Sequence, residues 1–167
     1  MNNPDNNKTS KRRLPVHFKR MGRELAMQFL FQSDVNGGEN TAVILELFWE
    51  QAESSGEFPQ NRIFRKAREY AEKIIHGVCE HLSTIDAEIE KHSEKWNLNR
   101  MAVVDRNVMR IAVYEMRFCL DIPPVVSIDE AVEIAKDFSS EKSSIFINGI
   151  LNGIKDGLDR PAREALK

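Results

Sequence analysis

Apolar residues recur at helical spacing along most of the chain. The clearest segment runs from Ile63 to Val78, where apolar positions follow the i, i+3, i+4, i+7 rule. The segment Lys19 to Asp34 and the segment after Asp105 are apolar almost all round, which is typical of central helices in a bundle. Neither an alternating strand pattern nor an internal repeat is found. The sequence therefore predicts an all-α fold, a bundle of about seven helices.

Turn-forming residues divide this pattern into separate helices. Residues 36–38 (Asn-Gly-Gly) end the first helix, and residues 122–124 (Ile-Pro-Pro) end the fifth. Ser127 and Glu130 form a capping-box pattern, which predicts that the sixth helix begins after Ser127. Residues 139–140 (Ser-Ser) separate the sixth helix from the seventh. The other helix starts are assigned to Thr41, to Ser83 or Thr84, and to Asn99 or Asp105.

Several residues carry predictions about packing between helices. Trp96 and Leu98 are predicted to fill the space before the fifth helix. Gly149 and Gly153 are spaced so that a neighbouring helix can pack closely against the seventh. The last residues of the chain are predicted to fray.

The composition is that of an ordinary globular protein, with 41% hydrophobic and 30% charged residues. The sequence contains neither an apolar run long enough to span a membrane nor a secretory h-region, so we expect a cytoplasmic protein. The two cysteines, Cys79 and Cys119, lie far apart within apolar helical segments. They are predicted to be reduced, buried thiols rather than a disulfide or a reactive site.

The charge is distributed unevenly along the chain. Residues 1–23 contain seven Lys or Arg and one acid, Asp5, whereas the remainder contains 17 basic and 25 acidic residues. A basic arm on an acidic body is typical of nucleic-acid binders, although a solvated tail would give the same pattern. We predict a disordered basic arm over residues 1–18, a helical domain over 19–158 and a frayed tail over 159–167.

No pattern of catalytic or metal-binding residues stands out. The run from His76 to His81 lacks the second pair of ligands that a tetrahedral metal site needs, and His17 and His92 lie far from it. Phosphate-binding glycine loops, dinucleotide-binding motifs and nucleophile elbows are absent from the sequence. We therefore predict a non-enzymatic protein without cofactor or metal.

Two stretches of the sequence carry a family resemblance. Residues 20–31 read RMGRELAMQFLF, and residues 105–153 contain RIAVYE, Pro123, IDEAVEIAK and FINGIL in that order. In order and spacing, residues 19–155 resemble the NusB family, whereas residues 35–95 match it only in helical pattern. The chain departs from the family's first motif at Met21, where relatives carry a second Arg, and at Gly22, where they carry Ala.

The resemblance implies a fold, a ligand and a partner. It implies an all-α RNA-binding factor that recognises the boxA element of ribosomal operon leaders. It implies a heterodimer with NusE, a small-subunit ribosomal protein, and a complex that makes RNA polymerase ignore terminators. Some relatives form homodimers. The resemblance also places Asp105, Lys142, Ser144 and Phe146 where the partner and the RNA meet, with Asp105, Ser144 and Phe146 assigned to the partner.

The candidate RNA-binding residues lie mainly at the front of the first helix. Arg20 and Arg23 lie three residues apart on one helix face, and arginine suits phosphate because its planar fork makes paired hydrogen bonds. Gln28 could read a base edge, and Phe31 could either stack on a base or pack in the core. The full predicted set is Arg12, Arg13, Lys19, Arg20, Arg23, Gln28, Phe31, Arg110 and Lys142.

Two members of this set carry their own hypotheses. Arg110 could extend the basic groove or pair with Glu115 or Asp105. Lys142 replaces an acid that many relatives carry, and we hypothesise that its positive charge strengthens RNA binding.

Other classes of protein remain compatible with the sequence. One is a stand-alone relative of the NusB-like domain of ribosomal RNA cytosine methyltransferases, although no Rossmann-like half follows it here. Another is a helical protein-interaction module whose basic tail is incidental. An unrecognised helical enzyme would require a clustered polar pocket that the spacing does not indicate.

Overall fold

The computed structural model describes residues 17–38, 41–94 and 96–166. Within them the chain forms seven α-helices and one short 3₁₀ turn, without strands, and this confirms the all-α prediction. The elements are α1 (Phe18–Val35), α2 (Thr41–Ser54), α3 (Arg62–Glu80), α4 (Leu82–His92), the 3₁₀ turn (Leu98–Arg100), α5 (Val103–Phe118), α6 (Pro124–Phe138) and α7 (Glu141–Asp156). None of the described helices is both long and apolar enough to cross a membrane.

Helix α5 forms the centre of the bundle. Eleven of its sixteen residues are buried, and it packs against α1, α3, α4, α6 and α7. Helix α1 runs antiparallel to it, because Arg23 near the start of α1 contacts Glu115, whereas Asp34 near its end contacts Arg106. The start of α1 and the end of α5 therefore lie at one end of the bundle, and the start of α5 lies at the other.

The start of α6 differs from the capping-box prediction. The helix begins at Pro124, and Ser127 lies inside it with a buried hydroxyl that has no hydrogen-bond partner among the described residues. Proline is favoured at the first helical position because its fixed φ suits the helix and its missing N–H would have had no intrahelical partner. Glu130 is therefore free of a capping role and reaches Arg20 of α1 instead.

Other helix ends follow the sequence more closely. Gly37 and Gly38 after α1 both adopt positive φ, as a helix terminator does. Ser140 caps α7 by accepting a hydrogen bond from the Ser143 N–H at 3.0 Å. Helix α4 begins at Leu82, slightly earlier than predicted, and α5 begins at Val103, between the two starts that the sequence allowed.

Glycine allows α1 to pack closely against α3. A Cβ at Gly22 would lie 2.9 Å from the Ala67 carbonyl oxygen and 2.9 Å from Tyr70 Cδ1. A side chain at position 22 would therefore require α1 and α3 to move apart. Of the two α7 glycines, Gly153 packs closely against α4, as predicted, because a Cβ there would lie 3.1 Å from His92 Cδ2. Gly149 borders open space, so the prediction of close packing is wrong at that position.

The C-terminal segment makes hydrogen bonds to the end of α5 and the turn after it. Arg160 donates hydrogen bonds to the carbonyl oxygens of Met116, Leu120 and Ile122, which the end of α5 and the turn after it leave without helical partners. The Leu166 N–H also donates to the Leu120 carbonyl at 2.7 Å. These hydrogen bonds attach Arg160 and Leu166 to the bundle, and the frayed tail over residues 159–167 stays a prediction.

Two further packing predictions hold only in part. Both thiols are free, and Cys119 is buried with its pKa raised to about 11 by that burial, but Cys79 is exposed. Leu98 is buried as expected, whereas Trp96 is 53% exposed and does not fill the core.

Candidate nucleic-acid interface

The first candidate surface is a groove between the start of α1 and the start of α6, which we call the α1–α6 groove. It has a volume of about 290 Å³. It lies at the end of the bundle where the basic N-terminal arm joins the helical domain. Its lining residues are His17, Lys19, Arg20, Arg23, Asp121, Ile122, Pro123, Val126 and Glu130.

The accessible cations of this groove already have acidic neighbours. The Arg20 guanidinium donates to the Glu130 carboxylate, and both side chains are partly exposed. Lys19 Nζ lies 3.8 Å from Asp121 Oδ2. Burial would raise the pKa of Glu130, but the hydrogen bond and charge of Arg20 outweigh it and lower that pKa below its usual range. An RNA phosphate would therefore compete with these carboxylates for Lys19 and Arg20.

Arg23 lines the bottom of the groove, but its side chain is almost entirely buried. It is 4% exposed, and its Nε and Nη2 donate to the Glu115 carboxylate at 2.8 and 2.9 Å. The Tyr70 hydroxyl also donates to Glu115, and burial raises the pKa of Tyr70 far above its usual value. The prediction that Arg23 binds RNA is not supported by this placement, because its guanidinium holds the buried carboxylate of Glu115.

Arg110 is also held inside the bundle. It is 8% exposed, donates from Nε to Asp86 at 2.7 Å, and donates from Nη1 to Asp34 at 2.9 Å. The sequence suggested that Arg110 extends the basic groove or pairs with Glu115 or Asp105. In the structure it does neither, because Asp86 and Asp34 are its partners. Its partners come from α1 and α4, and so it ties α5 to two neighbouring helices.

The second candidate surface lies at the opposite end of α5, and we call it the Trp96–Phe146 groove. Its volume is about 340 Å³. It combines two aromatic side chains, two exposed cations and one buried acid. Its lining residues are Trp96, Arg100, Met101, Ala102, Asp105, Ser140, Lys142, Ser143 and Phe146.

Asp105 is the buried acid of this groove, and one of its oxygens has no partner. Oδ2 accepts a hydrogen bond from the Ser143 hydroxyl at 2.8 Å, whereas Oδ1 is buried without a hydrogen-bond partner in the described part of the chain. A buried acceptor of this kind is costly unless a ligand supplies a donor. Within the described residues, Asp105 Oδ1 is therefore an acceptor that a water or a ligand could satisfy.

Comparison with known protein families identifies the chain. The model of the NusB family matches residues 20–156. The chain belongs to the NusB family. The transcription antitermination protein NusB of Myxococcus xanthus is 41% identical over 143 residues, which cover 86% of this chain and 98% of the relative.

Solved structures of NusB proteins share the fold. The NusB structure from T. maritima has 41% identity and a TM-score of 0.71, and the match covers 86% of this chain and 92% of that one. A chain from the crystal structure of the antitermination factors NusB and NusE with double-stranded RNA has 29% identity and a TM-score of 0.70, over 86% and 99% of the two chains. These matches confirm the NusB-like fold that the sequence predicts.

The predicted partner-binding residues of this NusB-family chain meet mostly in the Trp96–Phe146 groove. Asp105 and Phe146, two of the three predicted partner-binding residues, line it together with Lys142, which is predicted to bind RNA. Ser144 does not, because it is 2% exposed and its hydroxyl donates to the Glu141 carbonyl at 2.6 Å. The prediction for Ser144 is therefore not supported, and the neighbouring Ser143 faces the groove instead.

Gln28 and Phe31 lie outside both grooves. Gln28 borders a smaller groove of about 130 Å³ between α1 and α2. Phe31 is 38% exposed, so its ring is accessible for stacking rather than fully packed in the core. Arg12 and Arg13 lie outside the described residues.

Among the lining residues of the Trp96–Phe146 groove that were not predicted as site residues, Trp96 contributes an aromatic ring and Arg100 a positive charge. The sequence predicts that Trp96 fills the space before the fifth helix. Its neighbours along the chain are polar, which is a signal of exposure that the sequence does contain. The groove itself could not be predicted, because its walls come from the 3₁₀ turn, α5 and α7.

The candidate residues therefore form two sites rather than one. Glu115 lies beneath the α1–α6 groove, and Asp105 lies in the other groove, ten residues earlier in α5. Ten residues of helix span about 15 Å. A ligand that occupied both grooves would have to be extended, as a single-stranded nucleic acid is, or would have to consist of two molecules.

Proposed function

We propose that this chain is a transcription antitermination factor. It binds single-stranded RNA of the boxA type together with NusE, and the complex lets RNA polymerase read through terminators. The observation that carries the proposal is the similarity, over 99% of that chain, to a chain of the crystal structure of NusB and NusE with double-stranded RNA, and the choice of single-stranded boxA RNA follows the family resemblance. The protein acts in the cytoplasm, and its role is binding rather than catalysis.

The α1–α6 groove is the proposed contact for the RNA backbone. Lys19 and Arg20 are its accessible cations, and we assign Arg12 and Arg13, which precede α1 in the sequence and lie outside the described residues, to the same RNA backbone. Glu130 and Asp121 pair with these cations in the free protein. RNA binding therefore replaces two partly exposed ion pairs with ion pairs between the same cations and phosphate. Such exposed pairs contribute about 0–1 kcal/mol each, so the exchange costs little.

The Trp96–Phe146 groove is the proposed junction of RNA and NusE. Exposed Trp96 offers a stacking face, and Arg100 and Lys142 offer positive charge to phosphates. Phe146 is half-buried and supplies an apolar anchor, which is the kind of residue that dominates protein interfaces. Asp105 Oδ1 then accepts a hydrogen bond from whichever partner covers it.

A gel-shift titration tests the proposal. The probes are boxA-like RNA and a scrambled RNA of equal length, each with and without NusE. Wild-type protein should prefer the boxA-like RNA, and NusE should strengthen that binding. If about five phosphates are contacted, the logarithm of the association constant should fall against the logarithm of the salt concentration with a slope of about −3.5. Equal affinity for both RNAs, with or without NusE, would contradict the proposal.

Paired variants assign the contacts to the two grooves. Lys19→Gln/Arg20→Gln should weaken RNA binding about tenfold or more and make the salt slope shallower by about 1.4. Lys91→Gln/Lys136→Gln, which removes two exposed charges outside both grooves, is the matched control.

Lys142→Asp should also weaken RNA binding, whereas unchanged affinity would remove Lys142 from the interface. Sedimentation of the free protein tests the homodimer that the resemblance allows.

A further inference from the structure

A third groove adjoins the α1–α6 groove on the opposite side of α1. It lies between the start of α1 and α3, has a volume of about 320 Å³, and is lined by Phe18, Lys66, Glu69, Tyr70 and Lys73. Its volume is at the lower end of the range for small-ligand pockets, which suits a unit such as one nucleotide. We call it the α1–α3 groove.

The α1–α3 groove combines an aromatic floor with positive charge. Lys66 Nζ lies 5.5 Å from the centre of the Phe18 ring, and Lys19 Nζ lies 5.7 Å from the centre of the Tyr70 ring. Lys66 and Lys73 are exposed, and neither pairs with an acid in the described part of the chain. Glu69 is the one carboxylate that lines the groove, so cations outnumber acids there.

The Phe18 ring already accepts a flat group on its face. The His17 ring stacks on it with centroids 4.7 Å apart and an angle of 29° between the planes. A nucleobase could stack on this pair or take the place of the imidazole. Aromatic side chains beside cations are the usual elements of sites for unpaired nucleic acid.

Lys19 and His17 join this groove to the proposed RNA site. Both line the α1–α6 groove, while Lys19 also lies over Tyr70 and His17 also stacks on Phe18. A strand held by Lys19 and Arg20 therefore has a continuous path over the start of α1 onto α3.

Charge favours this path over the one along α6. Along the α1–α6 seam, Glu130 pairs with Arg20, Glu24 follows Arg20 by one helical turn, and Glu133 and Asp137 share a face of α6 with Glu130. Burial and the nearby acids Asp137 and Glu130 raise the pKa of Glu24. A phosphate chain leaving Lys19 is repelled by that seam and attracted by Lys66 and Lys73.

We propose that the α1–α3 groove binds unpaired nucleotides that flank the RNA element held in the α1–α6 groove. The proposal rests on the proposed function, because it extends the same RNA beyond that element. Phe18 stacks a base, and Lys66 and Lys73 hold phosphates. Recognition is by stacking and charge, so it does not depend on the sequence of the flank.

Fluorescence anisotropy with two RNAs tests the groove. One probe is the boxA-like element alone, and the other carries six additional unpaired uridines, placed at the 5′ or the 3′ end in separate probes. For the wild-type protein, one of the two extensions should tighten binding about fivefold or more. Lys66→Gln/Lys73→Gln should abolish that gain and leave the affinity for the unextended element unchanged. The salt slope for the extended RNA should become shallower by about 1.4.

Matched variants separate this groove from general charge effects. Lys66→Arg/Lys73→Arg should retain the gain from the extension, and the control Lys91→Gln/Lys136→Gln should retain it as well. Wild-type binding of the element without any gain from either extension would overturn the groove proposal alone. Absence of binding to every RNA would overturn the proposed function and this proposal together. If Lys66→Gln/Lys73→Gln lost affinity for NusE but kept the gain from the extension, the surface would bind a protein. That result would overturn the proposal.

Discussion

Glu115 is fully buried, and three hydrogen bonds from Arg23 and one from Tyr70 reach its carboxylate. A buried carboxylate is costly unless it is paired and hydrogen-bonded, so Arg23 is needed to balance it. In the sequence, Arg23 resembles Arg20, because the two lie three residues apart in one helix. Only Glu115 on α5 distinguishes them, because it pairs with Arg23, and Glu115 lies 92 residues after Arg23 in the chain.

Removal of Arg23 should therefore destabilise the protein rather than act on RNA alone. Arg23→Ala should lower the free energy of unfolding by about 3–5 kcal/mol, because it leaves Glu115 buried and unpaired. The triple variant Arg23→Met/Glu115→Leu/Tyr70→Phe, which replaces the whole polar cluster with apolar side chains, should recover most of that loss. Urea denaturation measures both values. A stable Arg23→Ala protein would contradict a structural role for this guanidinium.

At the scale of helices, α6 shows how two local signals compete. The capping-box pattern and the proline pair predict different starts, and the helix follows the proline pair. The buried Ser127 hydroxyl then has no partner among the described residues, whereas Ser140 caps α7 through the Ser143 N–H. Ser127, which the sequence predicts as a cap, and Ser140, which it predicts only as a helix break, are therefore expected to contribute differently to stability.

Alanine substitutions distinguish these two serines. Ser140→Ala should lower the free energy of unfolding by about 1 kcal/mol, because a helix cap is lost. Ser127→Ala should leave it unchanged or raise it slightly, because an unsatisfied buried hydroxyl is removed. Thermal or urea unfolding of both variants under one condition makes the comparison. A larger loss in Ser127→Ala than in Ser140→Ala would restore the capping-box interpretation.

At the scale of the whole molecule, ion pairs connect helices that are distant in sequence. Asp34 of α1 accepts hydrogen bonds from Arg106, Asn107 and Arg110 of α5. Burial alone would raise the pKa of Asp34, but the hydrogen bonds of Arg106 and Asn107 and the two guanidinium charges lower it below its usual value. The same balance lowers the pKa of Glu130 beside Arg20.

These lowered pKa values make stability depend on pH. Because the folded pKa lies below the unfolded one, the contribution is complete above about pH 5 and is lost as the pH falls through the folded pKa. Asp34→Asn should reduce the free energy of unfolding at pH 7 by about 1–3 kcal/mol and flatten its decline below about pH 4. Urea denaturation from pH 7 to pH 3 measures this, with Asp129→Asn on an exposed surface as control. Identical pH profiles for Asp34→Asn and wild type would contradict the role of Asp34.

The sequence by itself determined the helical class, most helix boundaries and the family of this protein. Those properties depend on local periodicity, on turn residues and on two contiguous motifs, all of which can be found along the chain. Tertiary structure alone decided which cations are accessible. Arg23 and Arg110 are buried and paired with acids on other helices, whereas Lys19 and Arg20 remain at the surface. It also assembled the grooves, since each combines side chains from separate elements whose proximity no local pattern specifies.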